Sequence, residues 1–489
     1  MRRLHPLVAV RRAVGYAVNL AGAAVLLVGF VLPAVGVDAG DAFALLPAGV
    51  AAGALFGLLS YLRFRYEVTD DTVDVNSGVV SRREREIPLD RIQNVDVERS
   101  VWQRLLGVAT LRVETAGGGS TEATLDFVSA DEAERVRALL RAEARPAEVT
   151  PEAPAEEPLF ALRPRELAVY AATEFRPGAL ALTLFGLPVV GRVATDALLA
   201  AAAPLGGPER LAGGSLTPDE ALALAAVGLP ALAAGGWLLG AALALNEQYG
   251  FTLVRSGEDV QYSRGLLTTY SGAIPVERIQ TLTIRENVVQ RALGYGALTI
   301  DTAGYAGEEG AGRRSAIPMA ERERVTALAD EVAGVTSGAD FERPPTRARR
   351  RYLARYAVAV GLLTVAAFAV SRRVGGFSLW WTAALLFVAV PPAAHLKWRH
   401  RGYAVRDDHL LVRAGFWTRR TTVVPYERLQ TVQRRATLFQ RRRGLGSVVA
   451  DTASGAVLRR GGAVVHDVDA GDASALSRRL RDALDTAIR

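Results

Sequence analysis

The heptapeptide Ile-Pro-Leu-Asp-Arg-Ile-Gln at residues 87–93 recurs in two slightly altered copies. These copies are Ile-Pro-Val-Glu-Arg-Ile-Gln at residues 274–280 and Val-Pro-Tyr-Glu-Arg-Leu-Gln at residues 424–430. A Gln-Arg pair begins fifteen residues after each proline, and an acidic residue followed by Thr-Ala recurs further on in register. Several motifs at a fixed spacing indicate internal repeats, so we predict three copies of one structural unit.

Each unit has the sequence pattern of an antiparallel β domain that ends in a helix. Short alternating apolar stretches flank turn residues, as at Asp70-Asp71 in the first unit and Asp407-Asp408 in the third. A polar helix start then precedes an apolar stripe at helical spacing, as at Ser129 ahead of Val136. We therefore expect a small β domain closed by one carboxy-terminal helix in each unit.

Uncharged apolar runs of membrane-spanning length lie outside these units. Half of the 489 residues are hydrophobic, and their uneven distribution excludes a wholly soluble protein. Residues Arg192 and Asp196 would lie inside the third run, which is a costly placement unless they pair or face other helices. We predict six transmembrane helices in three pairs, at residues 13–33 and 43–62, 178–199 and 221–245, and 356–371 and 374–394.

Basic residues cluster at one end of each predicted pair. The chain has 58 Lys and Arg against 51 Asp and Glu, a net charge of +7, which is compatible with nucleic acid or with an anionic membrane. Beside membrane segments, basic residues ordinarily mark the cytoplasmic side, so we expect no nucleic-acid partner. We predict a multi-pass protein of the cell membrane with both termini cytoplasmic. The predicted cytoplasmic positions are Arg12, Arg83, Asp131, Arg350 and Arg489, and the predicted outside positions are Asp38 and Asp219.

In this combination of motifs, the chain resembles the bacterial pleckstrin-homology (PH) domain of the second type, in the three-unit arrangement of YdbT-like membrane proteins. The resemblance implies an α+β membrane protein in which each helix pair precedes a curved β-sandwich or open barrel capped by a helix. It also implies a membrane-anchored module without catalysis. The predicted boundaries are helix pairs at 1–65, 164–247 and 339–398, PH-like domains at 66–145, 248–338 and 399–489, and a Pro-rich acidic linker at 146–163.

Two sets of residues are candidates for a role. The repeat signature is interpreted as structural, because residues shared by diverged repeats serve their common fold; its members are Pro88, Arg91, Gln93, Pro275, Arg278, Gln280, Pro425, Arg428 and Gln430. The arginines that differ between units are candidate contacts to anionic headgroups, because guanidinium groups bind phosphate in a bidentate way. They are Arg82, Arg83, Arg85, Arg419, Arg420, Arg434, Arg435, Arg441, Arg442 and Arg443. A solvated face that only sets the topology is the alternative interpretation of these arginines.

Catalytic motifs are missing from the sequence. The chain has no cysteine, and its five histidines lack metal-ligand spacing. It contains no nucleophile elbow, no His-Glu-x-x-His motif and no Walker loop. We therefore expect no catalytic residue, no metal site and no cofactor, although Arg192 and Asp196 could serve an intramembrane enzyme.

The function expected from the sequence is a non-enzymatic scaffold that presents three PH-like domains at the cytoplasmic face. Its expected partners are membrane lipids, including anionic headgroups, or another membrane protein. Two alternatives remain open at this point. One is a transporter, which paired spans would suit. The other is a regulatory subunit that binds a partner protein through a free strand edge.

Overall fold

A computed structural model of the chain describes residues 4–26, 45–69, 71–89, 92–115, 123–133, 135–136, 157–208, 217–256, 259–302, 313–333, 340–374, 378–452 and 463–488. Asp38, Arg91 and Arg489 lie outside these residues, as do parts of the first two predicted spans and most of the linker 146–163. The side chains of Gln93, Arg192 and Pro275 also lie outside the described set.

The first unit follows a pair of helices. Its elements are α1 (Leu7–Leu26), α2 (Leu45–Arg63), β1 (Arg65–Val68), β2 (Thr72–Ser77), β3 (Arg83–Pro88), β4 (Ile92–Ser100), α3 (Val101–Leu105), β5 (Val108–Thr115) and β6 (Ala123–Ser129). A helix starts directly after β6, at residues 130–133. Buried β-branched and leucine side chains fill this unit, with Val73, Leu111 and Leu125 fully enclosed.

The second unit begins with a strand and a short helix that the sequence patterns did not predict. Its elements are β7 (Glu157–Ala161), α4 (Pro164–Thr173), α5 (Pro177–Ala202), α6 (Pro218–Gln248), β8 (Thr252–Ser256), β9 (Asp259–Arg264), β10 (Thr268–Pro275), β11 (Ile279–Asn287), α7 (Val288–Leu293), β12 (Tyr295–Thr302), β13 (Arg313–Glu321) and α8 (Arg322–Ala333). Strand β7 pairs with β8, and Phe160 on β7 enters the core of the unit. The end of the predicted linker 146–163 is therefore part of the fold.

The third unit repeats the plan. Its elements are α9 (Thr346–Val374), α10 (Val390–Arg399), β14 (Gly402–Val405), β15 (His409–Ala414), β16 (Thr418–Pro425), β17 (Leu429–Arg435), α11 (Leu438–Arg441), β18 (Leu445–Thr452), β19 (Ala463–Asp469) and α12 (Ala470–Ile488). Between α9 and α10, residues Ser378–Ala389 form a 3-10 helix. Helix α12 packs on the sheet through Ala473, Leu476 and Leu480, which are buried.

The predicted count of six transmembrane helices is not supported. In the part of the chain that the structure describes, two helical segments are long and apolar enough to cross a membrane, at Asp219–Gln248 and Thr346–Arg373. The last predicted span, at 374–394, is divided between the 3-10 helix and α10. Pro391 and Pro392 stand at the start of α10, and proline has no N–H to donate to a preceding helical turn. Asp196 lies on α5 with its side chain exposed.

Each unit contributes two antiparallel three-stranded sheets, and in the second unit β7 adds a further strand to the first of them. The strands of each unit are counted below without β7. Neighbouring units share a continuous sheet. The strand orders are β1-β2-β3, then β6-β5-β4-β10-β9-β8-β7, then β13-β12-β11-β16-β15-β14, and finally β17-β18-β19. The second sheet of one unit therefore continues into the first sheet of the next, through the pairs β4–β10 and β11–β16. We call these two pairings the internal junctions.

The repeat prolines occupy equivalent places, as the spacing predicts. Pro88, Pro275 and Pro425 are the last residues of β3, β10 and β16, which are the third strands of the three units. In the second and third units the next three residues form a 3-10 turn that leads into the following strand. Equal spacing along the chain thus corresponds to equal position in the fold.

Candidate functional site

A one-turn helix follows the fourth strand of each unit, and the repeated Gln-Arg pair explains how it forms. Gln103 of α3 accepts a hydrogen bond from the backbone N–H of Ser100, whose hydroxyl in turn accepts from the N–H of Gln103. The same reciprocal capping box joins Asn287 to Gln290 in α7 and Thr437 to Gln440 in α11. Short helices depend on such caps, because most of their N–H groups have no partner within the helix.

The glycine that follows each Gln-Arg pair ends the turn. Gly107, Gly294 and Gly444 have φ values of 64°, 78° and 62°, in the left-handed region where a side chain is strained. The equal spacing from Gln-Arg to glycine in the three repeats is therefore the spacing of a capped helical turn. One side of each short helix packs on its unit, and the outer side faces away from it.

That outer side carries exposed apolar side chains, as does the tip of the hairpin that precedes the third strand of each unit. Trp102 of α3 is 72% exposed, and Trp417 at the hairpin tip of the third unit is 77% exposed. Isolated exposed apolar side chains are ordinary, but repeated ones at equivalent positions mark a contact surface. We call this set the apolar rim, and its members are Val80, Trp102, Leu105, Leu267, Val289, Leu293, Trp417, Leu438 and Phe439.

In the second and third units, the hairpin tips of the apolar rim lie beside the ends of neighbouring helices. The backbone N–H of Leu266, at the hairpin tip of the second unit, donates to the carbonyl of Asn246 near the end of α6, at 2.9 Å. At the tip of the third unit, the ring of Phe416 contacts the ring of His400, directly after α10, with centroids 5.4 Å apart. Asn287, which caps α7, donates to the carbonyl of Thr173 at the end of α4.

The helices themselves expose apolar side chains around their sides. Leu229 on α6 is 65% exposed, and Leu362 on α9 is 67% exposed. None of the 18 residues in the most apolar window of α9 is buried within the chain. Such surfaces are suited to contact with lipid, and the apolar rim lies where these helices join the β units.

The predicted arginine contacts fall into three groups. Arg82, Arg83 and Arg85 are exposed on and beside β3, whereas Arg419 and Arg420 lie on β16 within the second internal junction. The remaining five lie at the end of β17, at the end of α11 and in the turn that follows it, close in sequence to Leu438 and Phe439 of the apolar rim; these are Arg434, Arg435, Arg441, Arg442 and Arg443. The structure therefore does not form one basic patch from the ten arginines. The first group lies at β3, in the first sheet of the array, and the third group lies at β17, in the last sheet.

Arg419 takes part in a buried ion cluster. Glu286 of β11 is 3% exposed, and its carboxylate accepts from Arg419 Nη2 at 2.6 Å and from Arg322 Nε at 2.6 Å. Burial, together with the charge of Arg419, lowers the pKa of nearby Arg413 to about 10. The guanidinium of Arg413 lies over the ring of Phe341, with 3.5 Å to the centroid. This cluster binds the second unit to the third.

A second buried ion cluster attaches the third unit to its helices. Asp467 of β19 is 1% exposed, and it contacts Arg351 and Tyr352 of α9 as well as Arg401, which follows α10. Gln440, the capping residue of α11, donates to the same carboxylate at 2.8 Å. One side chain thus links the helix pair, the sheet and the one-turn helix.

The remaining signature residues lie at or near the junctions. Arg278 donates to the carbonyl of Ile92 in the first unit at 3.4 Å, and Gln280 on β11 is 6% exposed. Arg428 pairs with its neighbour Glu427 at 3.2 Å, and Gln430 on β17 is exposed. Gln280 in the second unit is therefore buried and its equivalent Gln430 in the third is exposed, whereas Arg278 and Arg428 are both half-buried.

The apolar rim and the two buried ion clusters were not predicted from the sequence. Repeated apolar residues beside each Gln-Arg pair, such as Trp102 and Phe439, were a usable signal for the rim. Glu286 and Asp467 carry no local motif, because their arginine partners come from distant segments of the chain.

Comparison with known proteins agrees with these repeats. The family model described as "Bacterial PH domain" matches three times, at residues 16–144, 196–336 and 358–484. The "UPF0699 transmembrane protein YdbT" of Bacillus subtilis (strain 168) is 24% identical over 454 residues, which cover 87% of each chain. No solved structure matches the chain at a significant level. Three family matches that together span most of the sequence, on three β units of equivalent topology, show that the chain belongs to the bacterial PH domain family and is a YdbT-like membrane protein.

Proposed function

We propose that this protein is a non-enzymatic scaffold of the cell membrane. Its apolar helices, α6 and α9 among them, would anchor it, both termini would be cytoplasmic, and the three PH-like units would lie on the inner face of the bilayer. The observation that carries the proposal is the apolar rim, which repeats in all three units and adjoins the ends of apolar helices. Amphipathic aromatic side chains such as Trp102 and Trp417 are typical of the boundary between headgroups and acyl chains.

Anionic lipid is the partner that the surrounding charge favours. Arg441, Arg442 and Arg443 follow the rim residues Leu438 and Phe439 after one intervening residue, Gln440. A basic residue near an anionic leaflet contributes about 1 kcal/mol, and short tethers to membrane helices keep the effective lipid concentration high. Apolar insertion and charge attraction would then act together at the same corner of the third unit.

Spin labelling of the full chain in nanodiscs tests this proposal. The chain has no native cysteine, so Trp102→Cys, Trp417→Cys and Phe439→Cys each place one label on the rim. We expect these labels to collide with oxygen more than with a water-soluble nickel reagent, because they lie within the interfacial layer. Asp407→Cys, in the exposed β14–β15 turn, is the matched control and is expected to be accessible to the nickel reagent. Rim labels as accessible to nickel as position 407 would contradict the proposal.

A variant without Arg441, Arg442 and Arg443 tests the proposed preference for anionic lipid. With the label at position 439, we expect deeper insertion in nanodiscs that contain phosphatidylglycerol than in phosphatidylcholine alone. The triple variant Arg441→Gln, Arg442→Gln and Arg443→Gln should remove this difference without removing the label from the interface. An unchanged difference in the triple variant would show that these arginines do not recognise the headgroup.

A further inference from the structure

The two internal junctions are built in the same way. Ser100, the N-cap residue of α3, lies opposite Thr268, the first residue of β10. Asn287, the N-cap residue of α7, lies opposite Thr418, the first residue of β16. The strand register is therefore identical in both junctions, although the sequences differ.

A side-chain contact also recurs in both junctions. Arg104 of the first Gln-Arg pair donates to the carbonyl of Leu266 at 3.0 Å, at the hairpin tip of the next unit. Arg291 of the second pair donates to the carbonyl of Phe416 at 2.9 Å, at the equivalent tip one unit further on. Each junction thus consists of a paired strand edge and one arginine that holds the neighbouring tip.

At the ends of the array, no strand of the described residues pairs with these same two surfaces. Strand β3, equivalent to β10 and β16, is the outer strand of the first sheet, and β17, equivalent to β4 and β11, is the outer strand of the last. The exposure of side chains reflects this difference. Thr281 on β11 is 3% exposed, whereas its equivalent on β17, Thr431, is exposed. The Arg441 guanidinium, equivalent to those of Arg104 and Arg291, donates no hydrogen bond within the described residues.

We propose that β17 of one copy of this chain pairs with β3 of a second copy, in the register of the internal junctions. Thr437 would then lie opposite Ser81, Arg434 opposite Glu84, and Arg441 would donate to the carbonyl of Val79. The partner is a second copy because one chain carries both halves of a contact that it already makes twice within itself.

Charged side chains on these edges are compatible with pairing. Charges on an edge strand often prevent association with unrelated strands. In the internal junctions, however, Arg285 pairs directly opposite Arg420, and Glu286 lies opposite Arg419. The proposed junction would set Arg434 against Glu84, a favourable cross-strand pair of opposite charge. It would also set Arg435 against Arg83, which is the equivalent of the Arg285–Arg420 pair in the second internal junction. The charges are therefore compatible with this register.

The apolar rim would continue across the new contact. In the second internal junction the N–H of Val288, at the start of α7, donates to the carbonyl of Trp417 at the neighbouring tip. The equivalent residues in the proposed junction are Leu438 and Val80, both of which are exposed. A head-to-tail contact between identical chains closes a ring or extends a filament. Here the helices would keep every copy in the plane of the membrane.

Disulfide cross-linking of the full chain in native membranes tests the proposal. Residues directly opposite on antiparallel strands have Cβ atoms about 4.5–5.5 Å apart, whereas a shift of one residue places them on opposite faces. The two test variants are Arg83→Cys with Arg435→Cys and Glu84→Cys with Arg434→Cys. The register controls combine Arg83→Cys with Arg434→Cys and Glu84→Cys with Arg435→Cys. The positive control is Glu98→Cys with Tyr270→Cys, because these two residues lie opposite each other in the first internal junction. A disulfide within one chain at these positions shows that the protein is folded and that the oxidation works.

We expect mild oxidation to link chains that carry different tags, with at least about fivefold more product in the best test variant than in the register controls. Adding Arg441→Ala should lower that yield, whereas Arg442→Ala should not. Equal yields in test and control variants would overturn the proposal. Linkage confined to one chain, or linkage only to other proteins, would overturn it as well.

Discussion

Asp467→Asn is expected to lower the free energy of unfolding of the third unit by about 3 kcal/mol or more. The substitution removes the negative charge that lies between Arg351 and Arg401, and removing one partner of a buried ion pair leaves the other charge uncompensated. Asparagine is the appropriate replacement because Asp467 has a φ of 58°, which asparagine adopts more readily than most residues. The measurement is thermal unfolding of the full chain in nanodiscs.

Asp469→Asn is the matched control for this experiment. Asp469 is 42% exposed and pairs with Arg347, which is 43% exposed, so its replacement should lower the free energy of unfolding far less than Asp467→Asn does. The two substituted residues lie two positions apart on β19 and differ in how deeply they are buried. Equal destabilisation by both would show that the Asp467 cluster does not hold the third unit to its helices.

Glu286→Ala is expected to have a comparable effect at the second internal junction. The carboxylate accepts from Arg322 and Arg419, with Arg291 and Arg413 close by, so its removal leaves several arginines in a partly buried region. We expect a loss of about 3–5 kcal/mol and faster proteolysis between the second and third units. Thermal unfolding and limited proteolysis of the full chain measure the two effects.

The chain offers a control of the same chemistry in the first internal junction. Glu98 pairs with Arg112, which is 46% exposed, and Glu98→Ala should cost at most about 1 kcal/mol. The double variant Glu286→Ala with Arg419→Ala should be less destabilised than the sum of its single variants, because the two residues interact directly. Additive losses would mean that the pair contributes little to the junction.

The repeat motifs predicted much of each unit because they act locally. Pro88, Pro275 and Pro425 end equivalent strands, and Gln103, Gln290 and Gln440 cap equivalent one-turn helices. Such features depend on residues a few positions apart, and their spacing can be read along the chain. The assignment to the bacterial PH domain family follows from the same motifs.

The joining of units into shared sheets could not be predicted in this way. Pairing between Asn287 and Thr418 depends on two segments far apart in sequence, and neither strand carries a local motif that identifies the strand with which it pairs. The same limit applies to Glu286, whose partner Arg419 the sequence predicts to be a headgroup contact although its side chain is only 18% exposed. The six predicted spans are not supported among the described residues either, because the last apolar run is divided between a 3-10 helix and α10 at Pro391-Pro392.

The most direct test of the account is the side of the membrane on which the β units lie. In the cysteine-free chain, Arg83→Cys and Arg350→Cys can be labelled with a membrane-impermeant maleimide in right-side-out and inside-out vesicles, with Asp219→Cys as the opposite reporter. If the β units are cytoplasmic, positions 83 and 350 should react only in inside-out vesicles, and position 219 only in right-side-out vesicles. Reaction of position 83 or 350 from the outside would contradict the claim that this protein presents its PH-like units to the cytoplasmic face.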